Sequence, residues 1–133
     1  MTDEDEPRAR ASLQCVVLDC PDPRALSRFY RGLLGGEVDR PDPRWSLDDE
    51  WSTLHTATGL VLAFQRADDY RPPRWPDPSA PQQFHLDVGV DDLDVAEARA
   101  LELGAVSLDD GGGTRSWRVY ADPAGHPFCL VRE

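Results

Sequence analysis

The chemistry open to this 133-residue chain rests on few side chains. His85 and Asp87 stand two residues apart in the strand-like stretch Phe84–Val90. That spacing puts an imidazole and a carboxylate on one face of a strand, where they can work as an acid–base pair. Asp19, in the apolar stretch Leu13–Cys20, offers a second carboxylate for the same role. The three cysteines, Cys15, Cys20 and Cys129, read as buried fillers, as a metal site or as a reactive thiol. Trp51 and Trp117 read either as core or subunit contacts or as aromatic walls for a flat or cationic ligand. Trp45 and Trp75 lie among prolines and polar residues, where a tryptophan pins a loop or lids a pocket. His55 and His126 carry weaker signals, with a turn role expected for His126, and Asp48-Asp49-Glu50 reads as a solvated loop. The chain has no GxSxG elbow, no glycine-rich phosphate loop ending in Lys, no HExxH and no CxxC. Gly111-Gly112-Gly113 lacks the flanking strand and helix of a phosphate cradle and reads as a turn.

Composition narrows the partners. The chain carries 25 acidic against 14 basic residues, a formal charge of -11, which opposes binding to nucleic acid through a basic face. Every basic residue is arginine. A neutral or cationic small molecule is the easier partner. No apolar run reaches the ~18–20 residues of a membrane span, and the acidic opening MTDEDEPRAR does not resemble a secretory signal. With an odd number of cysteines, these features predict a cytoplasmic protein.

The elements that must position these groups follow from periodicity. Leu13–Cys20 predicts a buried strand after an acidic lead, residues 1–11, that reads as disordered. Asp22 and Pro23 open a helix whose Leu26, Phe29, Tyr30, Leu33 and Leu34 form one apolar stripe, and Gly35-Gly36 closes it. Strands are expected around Glu37–Arg40, Trp51–Thr56 and Leu60–Arg66, the last two joined by a hairpin at Ala57-Thr58-Gly59. Five prolines between Asp68 and Gln83 predict a linker or covering loop. The order then repeats: strand Phe84–Val90, a helix capped by Asp91/Asp92 and stopped by Gly104, and strands Ala105–Leu108, Arg115–Ala121 and Pro127–Arg132. Trp51 stands eight residues before Gly59, as Trp117 does before Gly125. The chain is therefore βαβββ twice, module one over 12–67 and module two over 84–133 with linker 68–83, in a single domain.

This duplicated layout, with the helix cap at Asp22 and the segment Asp122-Pro-Ala-Gly-His-Pro-Phe-Cys-Leu130, resembles the vicinal oxygen chelate superfamily. Its members include glyoxalase I, extradiol dioxygenases, fosfomycin-resistance transferases and bleomycin-resistance proteins. The small glyoxalase-like proteins of actinobacteria are the most similar subgroup. The resemblance implies an α+β fold, two βαβββ modules forming an open, cup-shaped barrel, in a chain that pairs as a homodimer. Enzymes of the superfamily hold a divalent metal through His, Glu, His and Glu. Those places fall here on Cys15, about Ala63, His85 and Cys129, and only His85 matches. No resident metal is therefore expected, with zinc on Cys15, His85 and Cys129 as the alternative, since thiols and imidazole suit that ion. If the ligand positions point inward, alternation puts Cys15, Val17, Asp19, Val61, Ala63, Gln65, His85, Asp87, Cys129 and Val131 on the cup side. Val16, Leu18, Leu86, Val88, Val90, Phe128 and Leu130 then face the helices. The expected ligand pocket is Cys15, Asp19, Trp51, Gln65, His85, Asp87, Trp117 and Cys129. Three classes compete: a metal-free binder of a small organic molecule, an enzyme, or a module without a ligand. The enzyme would be a metal-dependent lyase or dioxygenase, or a metal-free isomerase or hydrolase using His85 with Asp19 or Asp87.

Overall fold

The computed structural model describes residues 11–45 and 48–133, so the acidic lead lies outside the described residues except for Ala11. In chain order the elements are β1 (Val16–Cys20), α1 (Pro23–Leu34), β2 (Glu37–Val38), β3 (Trp51–His55) and β4 (Val61–Arg66). The second set is β5 (Leu86–Val90), α2 (Leu93–Leu103), β6 (Val106–Asp109), a 3-10 turn at Gly111–Gly113, β7 (Trp117–Ala121) and β8 (Pro127–Arg132). Local chemistry explains the helix ends. The Asp22 carboxylate accepts from the Ala25 N–H with Pro23 in the first turn, and Asp92 accepts from Asp94 and Val95.

The strands form two four-stranded sheets of the same order, β1-β4-β3-β2 and β5-β8-β7-β6. In each, the first strand runs parallel to the last and the remaining pairs are antiparallel. The duplication is thus structural, and among the described residues no ladder closes one sheet onto the other. The strand expected over Glu37–Arg40 is two residues long. It stops because Asp39 turns to φ 54, from where its carboxylate accepts from the Ser52 hydroxyl and the Thr53 N–H. The first strand begins at Val16, so Cys15 lies just ahead of it.

Alternation places the core as expected. Leu18, Val88, Phe128 and Leu130 are buried beneath the helices, with Leu62 and Phe64 of β4 and Leu54 of β3 beside them. The α1 stripe supplies Leu26, Phe29 and Tyr30, all buried. Phe29 and Tyr30 also reach Phe128 of the second sheet, at ring-centroid distances of 5.9 and 6.3 Å. The two modules therefore share one core through their helix-covered faces.

Candidate functional site

His85 and the residues Asp87, Trp117, Val119, Cys129 and Val131 line a cavity of about 370 Å³ on the face of the second sheet away from the helices. Pairing explains the gathering. Asp87 sits opposite Cys129 in the parallel β5–β8 ladder, and Trp117 and Val119 of β7 lie opposite Val131 and Cys129. His85 Nε2 lies 3.1 Å from Asp87 Oδ1, so the expected imidazole–carboxylate pair is formed. One donor atom each from His85, Asp87 and Cys129 fall within 4.8 Å of one another. Burial, with the adjacent Asp87 charge adding to it, pushes the Cys129 thiol up to about 11, so this sulfur is a neutral thiol near pH 7. The indole of Trp117 is stacked on one side by the Arg115 guanidinium, 3.6 Å from the ring centroid, and Arg115 in turn pairs with Asp109 at 3.0 Å.

The remaining wall comes from the linker. Trp75 and Gln82 line the same cavity, so the proline-rich segment covers this face and Trp75 takes the lid position. Hydrogen bonds hold the covering segment down. The Tyr70 hydroxyl donates to the Ala124 carbonyl at 2.7 Å and lies 3.2 Å from His126 Nε2. His126 Nδ1 meets Asp122 Oδ2 at 2.8 Å, and the Tyr30 hydroxyl donates to that same oxygen at 2.6 Å. The other Asp122 oxygen accepts from the N–H groups of Ala124 and His126, which shapes the Asp-Pro-Ala-Gly turn. His126 thus serves the turn, as its sequence suggested, and also connects the turn to the linker. Sequence reasoning did not single out Tyr30, Tyr70 or Asp122 for this linkage. Tyr30 sits in the apolar stripe of α1, and nothing in its spacing marks its hydroxyl as paired.

The other expected site residues lie elsewhere. Asp19 and Gln65, paired in the β1–β4 register, line a second cavity of about 600 Å³ under the linker residues Tyr70–Pro73 and Ser79–Phe84. Trp51 belongs to β3 and lines neither cavity, so it does not face Trp117 across a common pocket. Cys15 is close enough to Arg44 for the guanidinium charge to act against the burial that raises its thiol. Among the described residues it is not part of the His85, Asp87 and Cys129 group, so within one chain the carboxylate of Asp87 takes the place expected for Cys15. The reason is topological. Each of these side chains faces away from its helix as alternation requires, but the modules share a core through their helix-covered faces, and the opposite faces line two adjoining cavities that meet at Gln82 and Pro127.

A family model described as a glyoxalase-like domain matches residues 15–131. A glyoxalase/bleomycin resistance protein/dioxygenase family enzyme from Burkholderia phytofirmans PsJN superposes with a TM-score of 0.68 at 19% identity, over 92% of this chain and 98% of that one. The fosfomycin resistance protein FosX from Mesorhizobium loti gives 0.65 at 14% identity, covering 90% of both chains. A structure described as oxidase ChaP-H2 gives 0.62 at 18% identity, over 94% and 95%. No curated protein sequence matches the chain. At these identities the likeness is one of fold.

Proposed function

Because the chain belongs to the glyoxalase-like domain family, we propose that its second-module cavity binds a small, flat organic molecule without the superfamily's catalytic metal. The observation that carries this reading is the pairing of Trp75 and Trp117 around a cavity of about 370 Å³, over a floor holding His85 and Asp87. Such a site is concave and mostly apolar with a few convergent polar groups, as small-molecule pockets are. The Asp87 carboxylate suits a cationic ligand, and two indoles in the lining offer an aromatic ligand faces to stack on. A cytoplasmic location and a homodimer belong to the same proposal. The dimer is supported by Val17, Phe84 and Trp117, which are more than a third exposed on faces the helices do not cover. A screen of aromatic amines by thermal shift and tryptophan quenching tests the proposal. A hit whose affinity falls in both Trp117→Ala and Asp87→Asn, with folding retained, supports it; unchanged affinity in both variants defeats it.

A second reading is favoured by the convergence of His85, Asp87 and Cys129. One imidazole, one carboxylate and one thiol are donors that zinc accepts, and three protein ligands leave the fourth position open. A zinc ion held there would supply a Lewis acid facing the cavity. Without it, the close pair of His85 and Asp87, 3.1 Å apart, is the chain's own means of moving a proton at His85 Nε2. Elemental analysis of untagged protein separates the readings. Stoichiometric zinc that is lost in Cys129→Ala supports the metal site and overturns metal-free binding.

A further inference from the structure

The face of the first sheet away from α1 carries an anomaly of its own. Trp51, Thr53 and His55 are alternate residues of β3, so their side chains share one side of the strand. The indole N–H of Trp51, the hydroxyl of Thr53 and both ring nitrogens of His55 are sealed from solvent and have no hydrogen-bond partner among the described residues. Thr53 is fully buried and His55 is 6% exposed. On the β4 side, Gln65 opposite Trp51 is exposed, and Ala63 and Val61 opposite the other two have no polar side-chain atoms. On the β2 side, the Glu37 carboxylate opposite His55 is engaged by Arg40 at 2.8 Å and makes no hydrogen bond to the imidazole. Native interiors rarely leave one such group unpaired, and a row of three on a single face marks a place where acceptor atoms belong.

A carboxylate already stands at one end of that row. Asp42 is held by Arg44 in a fork of three side-chain hydrogen bonds of 2.6 to 3.1 Å. Its Oδ2 points at His55 Nε2 from 3.7 Å, too far for a hydrogen bond. Trp45 follows with its ring edge-on to His55 at 5.8 Å, and Arg44 lies over that indole. The Asp42–Trp45 segment thus covers the His55 end of the row with an internal anion at ion-pair distance from His55 and beyond hydrogen-bond distance of it.

We propose that this face of the first sheet is a separate binding site for a small carboxylate, and that the Asp42–Trp45 segment occupies it as an internal competitor. The incoming oxygens would accept from Trp51 Nε1, Thr53 Oγ1 and His55, satisfying groups that the segment leaves bare. This site does not depend on the cavity of the second module, since no residue is shared between them.

The test is an NMR titration with sodium malonate, against sodium chloride at matched ionic strength, following the indole N–H signal of Trp51 assigned through Trp51→Phe. The expected result is a saturable shift of that signal. Asp42→Ala should bind roughly tenfold more tightly, the factor by which a segment seated about nine-tenths of the time masks a site. Thr53→Val in the Asp42→Ala background should weaken binding with the fold intact. The proposal is overturned by no saturable shift in either the native chain or Asp42→Ala, or by equal affinity with and without Asp42. A shift unchanged by Thr53→Val, or one abolished in Asp42→Ala/Arg44→Gln because malonate sat on Arg44, would overturn it as well.

Discussion

Removing the Tyr30 hydroxyl tests whether the two modules are held in place by one hydrogen bond or by apolar packing alone. Tyr30 is fully buried, and its hydroxyl lies 2.6 Å from Asp122 Oδ2, 92 residues away in the chain. Burial and the nearby Asp122 charge raise its pKa well above the ordinary phenol value, so it is a neutral donor. In Tyr30→Phe the ring stays, with its stacking on Phe64 and its edge contacts to Phe29 and Phe128. What disappears is one buried donor to a carboxylate, a class of bond that contributes about 1.5–3 kcal/mol. The low end applies, because Asp122 keeps three other donors, the His126 ring and the N–H groups of Ala124 and His126. We therefore expect a loss of about 1.5 kcal/mol, or a fall in Tm of about 6 °C at roughly 4 °C per kcal/mol for a domain of this size. Urea unfolding should show a lower midpoint with an unchanged slope. A loss below ~0.5 kcal/mol would refute the reasoning and assign the module junction to packing alone.

Three other outcomes follow from the same contacts. Asp122→Ala should cost more than Tyr30→Phe, about 3–5 kcal/mol, because it strands several buried donors at once; it should also speed proteolysis of the linker, since His126 and Tyr70 lose their common anchor, and limited digestion checks this. Alkylation of Cys129 should stay slow until the pH nears about 11 and quicken in Asp87→Asn, read by mass spectrometry of the labelled peptide. Its folded value lies above the ordinary thiol value of 9.0, so between about 9 and about 11 the folded chain holds the extra proton and stability falls as pH rises. Gly36→Ala should destabilise by about 2 kcal/mol or more in thermal melts, because Gly36 has φ 109 and a Cβ there would collide with the His55 carbonyl oxygen.

The elements were legible because their signals are local. Asp22-Pro23, the α1 stripe and Gly35 each act within a turn or two of helix, and the structure uses all of them. Strand alternation assigned Leu18, Val88, Phe128 and Leu130 to the helix side for the same reason. The site was legible only within one module. His85 and Asp87 are neighbours along β5, and Cys129 joins them through the β5–β8 ladder, which the duplicated pattern implies. Whether Asp19, Gln65 and Trp51 share that pocket depends on how the modules dock, and docking is decided by long-range contacts such as Phe29 on Phe128. The covering role of Trp75 had a compositional hint, a tryptophan among prolines, but its cavity depends on Tyr70 gripping the Asp122 turn.

Duplication with divergence explains why the two outward faces differ. Each module presents the same strand order with a tryptophan at the matching place, Trp51 on β3 and Trp117 on β7. On the second sheet the polar groups pair with one another, His85 with Asp87 and Asp87 with Cys129, and the long linker supplies a cover that leaves space beneath it. On the first sheet the corresponding cover includes the short stretch between β2 and β3. That stretch brings Asp42, Arg44 and Trp45 down onto His55, and Trp51 Nε1 and Thr53 Oγ1 are buried without partners among the described residues. The linker between β4 and β5 serves both sheets, since its residues line the cavity at His85 and Asp87 and also the one at Asp19 and Gln65. The first sheet thus carries an open cavity at Asp19 and Gln65 beneath the linker and a separate, covered patch along β3, whereas the second sheet keeps its polar groups together in one cavity.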